Sequence, residues 1–118
     1  MKFQSYDSTL PNVDSLIQEL NLGNHVFILI YRNGCGPCNR AKPEWYGLKS
    51  VLEEKYKTRD DVAIIDVEAK HLSAIKNIGV VDRVPTFKYI HNKTQRQESY
   101  VGTRSTDEFV KWIESKIN

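Results

Sequence analysis

The chain has 118 residues, 40% hydrophobic and 27% charged, with a formal net charge of +2. That length suits one domain, residues 1–118, built on one core, and the composition is ordinary for a globular protein. A balance of 17 basic against 15 acidic residues gives no footprint for nucleic acid or an anionic membrane.

The short basic set Lys88, Lys93 and Arg96 reads as solvated strand-and-turn surface. The opening MKFQSYDSTL lacks the apolar stretch of a secretory signal. The longest apolar run, residues 26–31, is too short for a bilayer. The expectation is a cytoplasmic monomer.

The first dozen residues suit an arm or a short edge strand. Val13, Leu16, Ile17 and Leu20 then recur at helical spacing, with Gly23 as the stop. HVFILIY, residues 25–31, reads as a strand buried on both faces. NGCGPCNRAKPEW follows at once, and Leu48, Val51, Leu52 and Tyr56 continue a long helix. Pro43 falls inside that helix, removes one donor and should bend it. VAIIDV, residues 62–67, is a second buried strand, so strand, helix and strand make a parallel right-handed βαβ unit. AKHLSAIKNI predicts a helix with Leu72, Ile75 and Ile78 on one side. TFKYI, HNKT and QESYV read as strand, turn and antiparallel strand, ended by Gly102. Ser105 and Glu108 have capping-box spacing. Phe109, Trp112, Ile113 and Lys116 line one face of the last helix, where the Trp112 indole is core packing.

Cys35 and Cys38 are the only cysteines. A staple reading is weak, because so short a loop gives little entropic stabilisation and cytosol disfavours structural disulfides. A zinc site needs four ligands, and His25, His71 and His91 are scattered with no second paired spacing. Disulfide exchange needs a stabilised thiolate. A helix start supplies one, through free amides and partial positive charge. Cys35, nearer the helix start, is then the attacking sulfur. Cys38, one turn in on the same face, is placed to resolve the mixed disulfide. Pro37 suits the first turn, where its missing donor costs nothing. Arg32 and Arg40 are near enough in sequence to add positive potential, although solvated arginines are the plain alternative.

These residues together resemble the thioredoxin family. Cys35-Gly36-Pro37-Cys38 matches its central motif, Pro43 stands where its helix proline lies, and KPEW, residues 42–45, is closer to protein disulfide isomerase domains. VPTF, residues 84–87, is similar to the segment whose proline is cis, and Gly102 matches the glycine opposite that loop. The resemblance spans about residues 12–118. It implies an α/β thioredoxin-like fold, with a central mixed four- to five-stranded sheet flanked by about four helices. It also implies Cys35 as nucleophile and Cys38 as resolving thiol, supported by Gly36, Pro37 and a cis Pro85. A client segment would dock at Gly34, Val84 and Gly102, pairing with the Val84 backbone as an added strand. The cis proline of the family keeps metal from the cysteine pair.

Three departures stand out. Gly34 replaces the family's tryptophan and removes a flat apolar surface, and Arg32 replaces a small residue. Leu29 stands where relatives carry a buried carboxylate that takes the resolving thiol's proton, so resolution should be slower. The loop before Pro85 is longer by a residue or two. The expected function is a thiol-disulfide oxidoreductase that reduces or isomerises protein disulfides, with the Gly-Pro spacer favouring reduction. Its partners would be disulfide-containing proteins and an electron donor, either a flavoprotein reductase or a small thiol pool. It would carry no cofactor of its own, since nothing resembles a phosphate or dinucleotide loop. The competing expectation is a thioredoxin-like binding or chaperone module with little turnover.

Overall fold

The computed structural model describes residues 1–6, 24–74 and 81–118. Strand β1 (Lys2–Tyr6) opens the chain, followed by β2 (His25–Tyr31), helix α1 (Gly36–Leu52) and β3 (Val62–Glu68). A 3-10 helix (Ala69–Ala74), β4 (Thr86–His91), β5 (Arg96–Ser99) and helix α2 (Thr106–Ile117) complete the described elements. They form one five-stranded mixed sheet in the order β1-β3-β2-β4-β5. β3 runs parallel to both β1 and β2, and β4 runs antiparallel to β2 and β5.

The central strands are apolar throughout because the sheet is covered on both sides. Phe27, Leu29 and Tyr31 face α1 and α2, where they meet Trp45, Leu48, Leu52, Phe109 and Ile113. Val26, Ile28 and Ile30 face the other way, beside Tyr6, Ala63, Ile65, Val67 and Ile90, with Leu72 and Val81 packed against them. Burial of so many aliphatic and aromatic side chains, at about 1.5–3 kcal/mol each, is the main force holding the sheet between its layers.

Most element expectations hold, with corrections. Of the two alternatives for the first segment, Lys2–Tyr6 take the edge strand. Among the described residues there are fewer helices than the four or so expected. The described residues hold two α-helices and one 3-10 helix; the helix expected over Val13–Leu20, and Ile75 and Ile78, lie outside them. Val51 is 48% exposed, so the apolar stripe of α1 runs through Ala41, Trp45, Leu48 and Leu52 instead. Lys88, expected on a solvated surface, is only 7% exposed, because β4 lies between β2 and β5; that burial lowers its pKa.

The two helices lock together at one place. The Thr106 amide donates to Glu44 Oε1 at 3.1 Å, and its hydroxyl donates to the Glu44 carbonyl at 2.7 Å. Gly47 allows this approach, since a Cβ there would lie 2.7 Å from the Thr106 hydroxyl. α2 starts as its sequence predicts: Ser105 is the extended N-cap, and its Oγ accepts the Glu108 amide at 3.3 Å. Among the described residues no helix is long and apolar enough to cross a membrane.

Candidate functional site

β2 ends at Tyr31, and the chain turns through Arg32–Gly34 into α1. The turn closes with the Cys35 amide donating to the Arg32 carbonyl at 3.3 Å. Gly34 has φ +84°, a left-handed conformation open to glycine, and a Cβ there would meet nothing within 4 Å. The family's tryptophan is thus replaced by a backbone corner with open space above it.

Cys35 is the N-cap of α1. Its backbone is extended, and its Sγ accepts the Cys38 amide at 3.2 Å. Gly36 and Pro37 fill the first turn, where proline's missing donor has no helical partner to lose. The Cα atoms of Cys35 and Cys38 are 5.2 Å apart, and their sulfurs are at disulfide distance. Cys35 is half-buried, whereas Cys38 is 0% exposed within the α1 face of the core. Cys35 is thus the more open sulfur of the pair, and Cys38 the enclosed one.

Charge around the pair is positive. The Arg40 guanidinium folds back over the spacer, its Nη1 3.6 Å from where a Cβ on Gly36 would sit. Lys42 Nζ lies 4.0 Å from the centre of the Tyr31 ring, a cation held over an aromatic face at the end of β2. The helix start adds its own partial positive charge.

The Val84–Pro85 peptide is cis, as the resemblance implies. Pro85 is buried, and half-buried Val84 packs against the same core cluster as Cys35. The pairing of Ile30 with Thr86 puts Pro85 at the Tyr31 end of the sheet. A groove of about 420 Å³ passes Arg83, Pro85, Thr86, Gly102 and Arg104. Gly102 has φ +155°, and a Cβ there would come within 2.9 Å of the Tyr100 hydroxyl. Gly102 and Pro85 therefore share one groove, while Gly34, Gly36, Pro37 and the cysteines form the α1 turn.

Leu29 is fully buried on the same core face as Cys38, with no carboxylate in its own position. Sequence reasoning overlooked the buried carboxylates one strand away. Asp66, paired with Leu29 in register, is 4% exposed and accepts hydrogen bonds from Ser5 Oγ at 2.7 Å and Tyr46 Oη at 3.1 Å. Glu68, beside Tyr31, is 4% exposed too. The available signal was an acid inside an otherwise apolar strand. Among the described residues no group of three or more His, Cys, Asp and Glu side chains could hold a metal.

The chain resembles known proteins along nearly its whole length. The protein-family model described as Thioredoxin matches residues 9–115. Protein disulfide isomerase-like 2-2 of Oryza sativa subsp. japonica is 33% identical over 106 residues, covering 89% of this chain and 27% of that protein. Protein disulfide-isomerase-like protein EhSep2 of Emiliania huxleyi is 31% identical over 109 residues, covering 92% of this chain and 47% of that protein. The chain thus spans less than half the length of each of these relatives. In fold, it resembles crystal structures of human ERp44 form I (TM-score 0.79, 19% identity, 98% of this chain and 29% of that one) and the Trx4 domain of ERdj5 (TM-score 0.67, 18% identity, 97% and 96%). With the parallel-antiparallel sheet, the cis proline and the paired cysteines at a helix start, the match over residues 9–115 shows that this chain belongs to the thioredoxin family.

Proposed function

We propose that this domain is a protein-disulfide oxidoreductase working in the reducing direction. The observation carrying the proposal is the Cys35 N-cap: a half-exposed sulfur accepts a helix amide, with a second, fully buried sulfur beside it.

The steps follow from that geometry. The Cys35 thiolate attacks one sulfur of a client disulfide. The client S–S bond breaks, a mixed disulfide forms, and the leaving client thiolate takes a proton from water. Cys38 then loses its proton to water and attacks Cys35 Sγ. The mixed disulfide breaks, Cys35–Cys38 forms, and the second client sulfur leaves as a thiolate that takes a proton from water. Two electrons have passed to the client, and an external thiol or dithiol donor must return them. The Cys38 amide and the helix dipole stabilise the Cys35 thiolate as the attacking group of the first step; in the second step Cys35 is the sulfur attacked and the client thiolate is the leaving group. A client strand laid along Val84 would gain backbone hydrogen bonds that demand little of its sequence.

Leu29 favours one refinement. No side-chain carboxylate stands at its position to take the Cys38 proton, so the second step is the slow one and the mixed disulfide lasts longer. That keeps a client-holding role within reach of the same chemistry.

The test is reduction of insulin disulfides with dithiothreitol as donor. Wild type should exceed dithiothreitol alone by about tenfold or more, and Cys35→Ser should fall to background. Wild type at the background rate would overturn the proposal and favour a binding module.

A further inference from the structure

We infer that the cysteine pair lies inside a collar of arginines that selects clients whose disulfide is flanked by acidic residues. The inference rests on the disulfide-exchange reading above and names the substrate class of that same site.

Four exposed arginines come to this end of the sheet from separate segments: Arg32, Arg40, Arg83 and Arg104. Arg32 is held by the turn before Cys35, where its carbonyl accepts the Cys35 amide at 3.3 Å. Arg40 lies over Gly36, with Nη1 3.6 Å from where its Cβ would be. Arg83 is 84% exposed, and its carbonyl accepts the Thr86 hydroxyl at 2.6 Å, which ties it to the Pro85 loop. Arg104 lines the same groove as Arg83, its guanidinium carbon 5.8 Å from the Phe87 ring centre.

Several other cations are neutralised: Arg59 by Asp61, Lys55 by Glu114, Lys116 by Glu98, Lys111 by Glu108 and Lys49 by Glu53. Among the described residues, Arg32, Arg40 and Arg104 have no such carboxylate. Arg83 has only Asp82, at 4.0 Å and 78% exposed. Glu44, on the same helix as Arg40, is already committed to the Thr106 amide. Among the described residues, three arginines without a carboxylate partner, and a fourth with only a loose one, thus stand at the turn and groove beside the reactive sulfur.

Gly34 sharpens the point. Without a flat apolar side chain before Cys35, backbone pairing at Val84 and charge at the rim are the docking forces left. Exposed charges in a groove raise the encounter rate and the occupancy of an oppositely charged partner and repel a like-charged one. An extended segment with Asp or Glu two to four residues from its cysteine would place its carboxylates over Arg83 and Arg104 or over Arg32.

The experiment compares kcat/KM for three peptide disulfides of one core sequence, flanked by Asp and Glu, by Ser and Gln, or by Lys. At low salt the acidic peptide should lead the basic one by about tenfold, chiefly through KM. At about 0.5 M salt the gap should close to within about twofold, as expected for exposed charges. Arg32→Gln with Arg83→Gln should cut the low-salt preference below about threefold, and Arg32→Lys with Arg83→Lys should restore it. Equal kcat/KM for the three peptides, a preference that survives salt, or one that survives the Gln pair would each overturn the collar and leave the exchange reading intact. Absence of turnover with every peptide would defeat the exchange reading, and the collar with it.

Discussion

The Cys38 amide donates its hydrogen bond to Cys35 Sγ at 3.2 Å, so the reactive sulfur is also the cap of its own helix. One atom thus serves fold and chemistry, and the two can be separated by substitution. Serine is a good N-cap and alanine a poor one. Under reducing conditions Cys35→Ser should melt at or above wild type, and Cys35→Ala about 1 kcal/mol below Cys35→Ser, or roughly 4 °C in Tm. Both should be inactive. Equal melting of the two variants would show that the cap contributes nothing.

Asp66 joins three elements, taking hydroxyl donors from Ser5 on β1 and Tyr46 on α1. Removing it costs two hydrogen bonds at a buried acceptor. Asp66→Ala should lose about 2 kcal/mol by urea unfolding, and Asp66→Asn, which keeps one acceptor oxygen, should lose less. A neutral Asp66→Ala would mean that the carboxylate's burial already cancels what its partners supply.

The relation between sequence and structure differs from one part of the site to another. The buried β2 and β3, the capped α2 and the α1 turn were legible because periodicity and caps are local signals. The difference in exposure between Cys35 and Cys38 was legible because helix position alone separates an open sulfur from an enclosed one. Lys88 and Val51 were misplaced for the opposite reason: strand order and helix rotation depend on which element packs where. Asp66 went unnoticed because its meaning lies in Ser5 and Tyr46, 61 and 20 residues away. The cis state of Pro85 came from family resemblance; no local rule favours it.

Gly34 carries a backbone cost that any other residue would meet. At φ +84°, with nothing within 4 Å of a Cβ, Gly34→Ala and Gly34→Trp should each lose about 1 kcal/mol of stability, and by similar amounts, since the strain is in the backbone. Gly34→Trp should also lower KM for clients with apolar flanks. Stability unchanged in both variants would contradict the argument.

His25 gives the fold a mild acid sensitivity at the end of the sheet away from the cysteines. Its Nδ1 lies 2.7 Å from the Tyr89 hydroxyl and its Nε2 3.9 Å from Asp61. Burial lowers its pKa from 6.5, His91 and Arg59 push the same way, and Asp61 opposes them. The unfolded chain therefore binds this proton more readily than the folded one. The stabilisation is full above about pH 7 and is lost as pH falls through the depressed folded value. Asp61, Glu98 and Glu114 are held below the usual carboxylate range by hydrogen bonds from Arg59, Lys116 and Lys55 respectively. Their contribution is lost in a separate, more acidic window. Tm should therefore fall between about pH 7 and pH 5.5, and His25→Gln should flatten that fall. An unaltered slope in His25→Gln would exclude His25 as its source.

The most direct test of the two cysteine roles is covalent. Cys38→Ser, mixed with an oxidised peptide client and quenched in acid, should run as a one-to-one mixed disulfide on a non-reducing gel, and peptide mapping should place the bond at Cys35. Cys35→Ser, treated in the same way, should carry no client. A client trapped on Cys38 in Cys35→Ser as readily as on Cys35 in Cys38→Ser would contradict the assignment, because the buried sulfur would then be as reachable as the helix cap.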